Sequence, residues 1–362
     1  MPVPPPWWGD VPWWEDPEWS AQRDYAPSSV RAAVDVLRRH FDRAWWQHLF
    51  TEPEPNLVAA QLMGKGTMAL DFIVQFGGEL LSLESAPGVQ RKIADLKGRK
   101  SKSAVLELEI AAGFAQAGMD VSFPLEGQAT PTPDILVKSS SDPDVAVECK
   151  WLEPEKWELW ASELARGALH LPPDADSRKM TVQITLNPRL SEIRTDDESF
   201  NEAIQVAINE RIHAAIAAAI RDAPGLPFEF DIPGLGSGRL GHVGDGEYSE
   251  IIGVEISAVG QLRRLLANGF SRAVGQLPRN LAGIVVVQCE HLPEPQFARL
   301  VFDTVTTLRR HELDHVHALV VLPVRYLGAN RQPMLLPNHY VRSKASLHAM
   351  DVIRRQLQPV EF

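Results

Sequence analysis

With 362 residues, 44% of them hydrophobic, the chain is long enough for one large domain with additions or for two domains. A formal net charge of −11 excludes a surface that grips nucleic acid all over and leaves that task to a local basic patch. Two cysteines far apart, Cys149 and Cys289, exclude a disulfide framework and a cysteine zinc site, and no apolar run reaches the ~18 residues of a membrane span.

The opening Met-Pro-Val-Pro-Pro-Pro-Trp-Trp has neither the basic nor the apolar region of a leader, so a cytoplasmic protein without membrane contact is expected. Five of the ten tryptophans (Trp7, Trp8, Trp13, Trp14, Trp19) fall in residues 1–27 among prolines and acids. Proline density argues against helix or central strand, and so much indole is unlike a solvated tail. The arm either packs on its own domain or docks a protein partner or a second copy, since tryptophan is a favoured interface anchor. Residues 28–50 then read as one amphipathic helix with the stripe Val30, Val34, Leu37, Phe41 and Trp45. Helical patterns follow at 56–62, 67–84 and 88–97, punctuated by Gly64, Gly66, Gly77-Gly78 and Pro87-Gly88. Residues 28–100 thus form a helical N-terminal region. Near its end, Arg91, Lys92, Lys97, Arg99, Lys100 and Lys102 face a single acid, Asp95. The run is either a solvated face or a set of nucleic-acid contacts to phosphate.

Residues 103–117 make a helix closed by Gly118, with a strand starting at 121–123. Glu107 and Glu109 lie about 200° apart around that helix, so only one can face a given site. The short β-rich runs 135–138 and 145–150 flank turn formers and read as a hairpin centred near residue 141 or 142. Antiparallel pairing sets residues summing to about 283 opposite each other, and so brings Asp134 across from Glu148 and Cys149. Along the second strand Val145, Val147 and Cys149 share one face; Ala146, Glu148 and Lys150 share the other. An apolar face for a core therefore backs a face that gathers two carboxylates and an ammonium, an expensive arrangement to bury without purpose.

Pro133-Asp134 followed by Glu148-Cys149-Lys150 resembles the signature of the PD-(D/E)xK nuclease superfamily, the restriction-endonuclease-like fold. The resemblance is specific over residues 103–151 and loose out to about 324. It implies an acid from the preceding helix, Glu107 by its distance from the closing glycine, with Glu109 as the fallback. It also implies Mg²⁺, with Mn²⁺ as a substitute, because phosphodiester hydrolysis needs a hard cation to activate water and offset oxyanion charge. Asp134 and Glu148 would be ligands, the Cys149 backbone carbonyl a third, and Glu107 the holder of a second metal or a metal-bound water. Lys150 would orient the attacking water.

Further on, 153–169 reads as helix, 181–186 as strand and 199–221 as an alanine-rich helix. Residues 224–246 are rich in Gly and Pro and read as a hairpin or loop, since Gly-Leu-Gly-Ser-Gly lacks the lysine of a phosphate-binding loop. Strand 251–256, helix 260–277 and the fully apolar strand 283–288 follow, with Arg263, Arg264, Arg272 and Gln276 along the helix. After a helix over 296–310 comes His311-Glu312-Leu313-Asp314-His315, formally a zinc-protease pattern. It falls where a helix ends and a strand (317–324) begins, so it cannot present both histidines on one helical face. The tail adds a strand at 334–336 or 339–342 and a helix at 346–356.

The expected fold is α/β, a restriction-endonuclease-like mixed central sheet flanked by helices. Around it lie an arm (1–27), the helical region (28–100), the nuclease-like domain (101–325, with 157–257 as an insertion) and a C-terminal extension (326–362). The expected function is a Mg²⁺-dependent endonuclease acting on DNA in preference to RNA, in defence, repair or mobile-element biology. The alternative is a non-catalytic nuclease-like binding or assembly module working through a protein partner at the Trp-rich arm.

Overall fold

The computed structural model describes residues 25–49, 56–62, 67–125, 131–138, 144–152, 180–186, 202–242, 251–255, 262, 265–289, 295–323, 333–341, 347, 350, 351, 353, 354, 360 and 361. The Trp-rich arm up to residue 24, the helix expected over 153–169, and Arg263 and Arg264 lie outside them. The chain forms two compact units, one from the described residues up to Leu152 and from Leu266 onward, the other within Glu153–Leu265.

The first unit begins with helices α1 (Pro27–His40), α2 (Arg43–Leu49), α3 (Leu57–Leu62), α4 (Thr67–Ser82) and α5 (Val89–Leu96). The single helix expected over 28–50 is two helices. Phe41 leaves the helical region (φ −111°, ψ 68°), and the Asp42 carboxylate accepts the Trp45 N–H at 2.9 Å, capping a new start. Phe41, Trp45 and Trp46 turn inward together, their rings in tilted and edge contacts. Helix α1 lies close on α4 because position 77 is glycine; a Cβ there would come within 2.6 Å of Ala33. Asn56 caps α3 through Ala59 N–H (3.1 Å) and donates to the Leu96 carbonyl at the end of α5 (2.8 Å), tying the two helices.

Helix α6 (Ser101–Gln116) leads into β1 (Asp120–Ser122), β2 (Ile135–Lys138) and β3 (Val145–Trp151). These strands form an antiparallel meander, with Ile135 opposite Val147 and Val137 opposite Val145. The hairpin register thus falls within a residue of the value set by the turn formers. A π-helical segment, Leu265–Phe270, runs into the short α8 (Ser271–Val274) and returns the chain to β8 (Ala282–Cys289), parallel to β3. A plain helix was expected here. Gly269 rests against Val287, where a Cβ would come within 3.0 Å, and Phe270 meets Phe302 edge-on at 5.5 Å. The wider turn lets both residues reach the sheet side. Helix α9 (Pro295–Leu308), β9 (Val316–Pro323), β10 (Met334–Pro337) and β11 (Val360–Glu361) complete a seven-stranded mixed sheet, ordered β1-β2-β3-β8-β9-β10-β11. The first of the two alternatives for the tail strand is the one formed, and the tail thus builds one edge of the sheet.

β8 and β9 are buried almost throughout, as parallel strands with both faces covered must be. On one face Val145, Val147, Cys149, Ile284, Val286, Ala318 and Val320 join the apolar cluster of α1 to α6. On the other lie Ala146, Glu148, Val285 and Val287, beneath the segment bearing Gly269 and Leu277. The sheet is thus flanked by helices on both faces.

The second unit contains β4 (Met180–Leu186), α7 (Glu202–Asp222), β5 (Phe228–Ile232), β6 (Gly236–His242) and β7 (Ile251–Glu255), with sheet order β5-β6-β4-β7. The Gly/Pro-rich stretch is the β5–β6 hairpin. Gly238 is required there because the ring of Phe230, its cross-strand partner, occupies the place of a Cβ at 2.1 Å. Among the described residues, no helix of either unit is long and apolar enough to cross a membrane.

Candidate active site

The site forms where β2 runs out before β3 does. The ladder between them ends at Ile135–Val147, and the preceding Pro133 has no N–H with which to extend it. The Cys149 N–H, pointing toward the β2 side, is met by a side chain: Asp134 Oδ2 accepts it at 2.9 Å. In return the Asp134 N–H donates to Glu148 Oε2 at 3.2 Å. The two carboxylates are thereby locked to each other's strand. The Cys149 carbonyl, on the same side of its strand as its N–H, points to the β2 side as well.

Glu148 is fully buried (0% exposed), and its Oε1 receives the Lys150 ammonium at 2.6 Å, two residues on and on the same face of β3. A second buried pair lies beside this one. Glu107 of α6, not Glu109, lines the cavity, and its Oε2 is paired with the ammonium of Lys92 from α5; both side chains are almost wholly enclosed. The cavity, about 510 Å³, is lined by Lys92, Asp95, Lys100, Glu107, Asp134 and Lys150 among its charged groups. Cys149, Trp151, Thr132 and Gln276 are among the others. Of the cations in the sequence run, Lys92 and Lys100 reach this cavity. Arg91 donates instead to the Phe123 (3.2 Å) and Pro124 carbonyls, holding the segment after β1. Lys97, Arg99 and Lys102 are not among the cavity's lining residues.

Burial followed by the negative charge of Asp134 raises Glu107 to about 7 and Glu148 to about 8, against the pull of their lysines. Lys150 is lowered by burial, but Glu148 and then Asp134 outweigh this and hold its ammonium above the ordinary value. Burial, then Asp134, Glu107 and Glu148, push the Cys149 thiol well up, so it stays protonated and apolar in character.

By donor type the set suits a hard divalent cation: carboxylates and a carbonyl, with the sulfur protonated and buried on the apolar face. Burial raises both glutamates most and the charge of Asp134 adds to it, and a cation would relieve the second of these. Among the described residues, however, no group of three or more His, Cys, Asp or Glu side chains is already gathered around one point as a metal site. Both glutamates are turned onto lysines, and the cation would be held by Asp134, Glu148 and the Cys149 carbonyl only after those contacts loosen. The sequence carried no expectation that Lys92 would be inside.

The zinc-protease pattern is not a helix. Residues 309–315 run through turns, and Glu312 is held by Arg309 at 2.6 Å. His315 and His317 are buried, and burial, then His315, lowers His317 to about 4.

Compared with models of known protein families, with curated proteins and with solved structures, the chain gives no match.

Proposed function

We propose that the first unit is a divalent-cation-dependent nuclease of the PD-(D/E)xK kind, hydrolysing phosphodiester bonds, in DNA in preference to RNA. The observation that carries this reading is the reciprocal bonding of Asp134 and Glu148 with the Lys150 ammonium on Glu148. Asp134 and Lys150 line one cavity with the helix acid Glu107, and Glu148, wholly buried, is bonded to both of the first two. The order of elements supports it too: helix, three-stranded antiparallel meander, helical return, then a strand parallel to the third.

In this reading Asp134, Glu148 and the Cys149 carbonyl hold Mg²⁺ or Mn²⁺, which supplies Lewis acidity to a water and to the phosphate. Lys150, released from Glu148, donates to the attacking oxygen and holds it in line. Glu107 anchors the far side of the cavity. Lys100 at the rim offers a contact to phosphate in a protein that is otherwise acidic.

The test is cleavage of supercoiled plasmid, single-stranded DNA and RNA with Mg²⁺, Mn²⁺ or EDTA, alongside Asp134→Asn and Lys150→Ala. Cation-dependent cutting that falls by about a hundredfold or more in each variant is expected. Cutting that survives either substitution, or no cutting with any cation, would overturn the reading. In the second case a non-catalytic binding module takes its place.

A further inference from the structure

Helix α5 buries Val89, Lys92, Ile93 and Leu96, the i, i+3, i+4, i+7 stripe of an amphipathic helix. One of those four is a lysine. Its side chain is 3% exposed and ends on Glu107, itself 8% exposed, at the wall of the cavity that also holds Asp134 and Lys150. A leucine or methionine at this position would complete the stripe without desolvating an ammonium, and exchanging a buried ion pair for apolar groups is often neutral or stabilising. Packing therefore does not account for Lys92. Position does: it places a positive charge on Glu107, which lines the same cavity as Asp134. The arrangement repeats that of Lys150 on Glu148, with a different element supplying the cation.

We infer that Lys92 is a resident counter-ion of the cavity, held on Glu107 until a divalent cation displaces it, so that Glu107 becomes a cation ligand only by exchange. The inference rests on the cation-dependent reading above. It gives each buried glutamate an ammonium of its own, Lys92 on Glu107 and Lys150 on Glu148. It also sets the direction of an effect. A fixed positive charge beside a ligand opposes an incoming cation, so removing it should tighten binding, whereas losing a merely structural lysine should weaken binding or leave it alone.

The experiment is Mn²⁺ titration of the full-length protein by calorimetry and electron paramagnetic resonance, on wild type, Lys92→Met, Lys92→Gln, Glu107→Gln and Lys92→Met/Glu107→Gln. Lys92→Gln keeps a hydrogen-bond donor to Glu107 and guards against misfolding of the methionine variant. Roughly tenfold tighter Mn²⁺ binding is expected in both Lys92 variants. In the Glu107→Gln background the same lysine substitution should change affinity much less. Unchanged or weaker binding in folded Lys92→Gln overturns the inference. If Asp134→Asn still abolishes wild-type Mn²⁺ binding, the cation site survives that result. Tighter Mn²⁺ binding in a protein that cuts no nucleic acid keeps the exchange and removes the nuclease. No Mn²⁺ binding by any of the proteins removes both.

Discussion

Raising the pH should weaken the first unit through Glu148, in contrast to the usual behaviour of an ion-paired carboxylate. The group titrates near its ordinary 4.5 when unfolded and at about 8 when folded, because burial and then Asp134 disfavour its charge. Between those values the folded chain holds a proton that the unfolded chain has lost. The contribution of Glu148 is therefore fully present below about pH 4.5 and is lost as pH rises through about 8. One such proton changes stability by about 1.4 kcal/mol per pH unit, or roughly 2–3 kcal/mol from pH 5.5 to 7.5. Glu107 adds a parallel trend over a narrower window, ending at about 7. The perturbation that isolates Glu148 is Glu148→Gln, which keeps an acceptor for the Asp134 N–H but cannot ionise. Urea unfolding without divalent cations, at half-unit pH steps and with a common slope, gives the difference between the two proteins. Relative to wild type, the variant should gain roughly 2–3 kcal/mol over that span. Curves that stay parallel would refute the claim that burial and Asp134 hold Glu148 well above its ordinary value in the folded chain.

Three further expectations concern other parts of the same unit. Mg²⁺ or Mn²⁺ should raise the unfolding temperature of wild type more at pH 8 than at pH 5, because the ligands must be ionised to bind; a shift independent of pH, or one retained in Asp134→Asn, would contradict the site. Gly88→Ala should cost about 2 kcal/mol or more by urea unfolding, since Gly88 has φ +84° and a Cβ would come within 2.3 Å of the Phe123 carbonyl; wild-type stability in that variant would refute the strain. His317 stays neutral down to about pH 4 in the folded chain while the unfolded chain charges near 6.5, so acidification through that window costs stability. His317→Leu should flatten the loss by roughly 3 kcal/mol, and an unaltered acid limb in the unfolding curve would show that His317 is not its source.

These three titrating groups also show what the sequence could and could not reveal. The β2–β3 hairpin was legible because turn formers separate two β-branched runs and because side-chain alternation has a period of two. Asp134, Glu148 and Lys150 then had to meet, whatever the exact register. The buried strands β8 and β9 were legible for a different reason, as short continuous apolar runs. The break between α1 and α2 was hidden because Phe41 and Trp45 continue the helical stripe across it. Only Asp42, three residues before Trp45, marks a cap, and one cap residue within an unbroken pattern is a weak signal. The π-helical turn before α8 was likewise invisible, since it arises from how Gly269 and Phe270 seat against Val287 and Phe302, contacts made by residues distant in sequence.

Lys92 is the instructive case. Read as composition, it belonged with Arg91, Lys97, Arg99, Lys100 and Lys102 as one basic run with one destiny. Read by helical position, it alone shares the buried face with Val89, Ile93 and Leu96, while Arg91 is spent on two carbonyls. Periodicity and charge pattern gave different answers for the same residue, and periodicity was the better guide because burial is set by helix geometry before charge can choose a partner. A lysine on an apolar stripe requires a buried acid within reach, and among the helix acids offered by the sequence, Glu107 faces the same cavity. That logic selects Glu107 over Glu109 from α5 as well as from α6. It makes the two choices dependent on each other: if Lys92→Gln and Glu107→Gln proved additive in Mn²⁺ affinity, Lys92 would not act on the cation through Glu107.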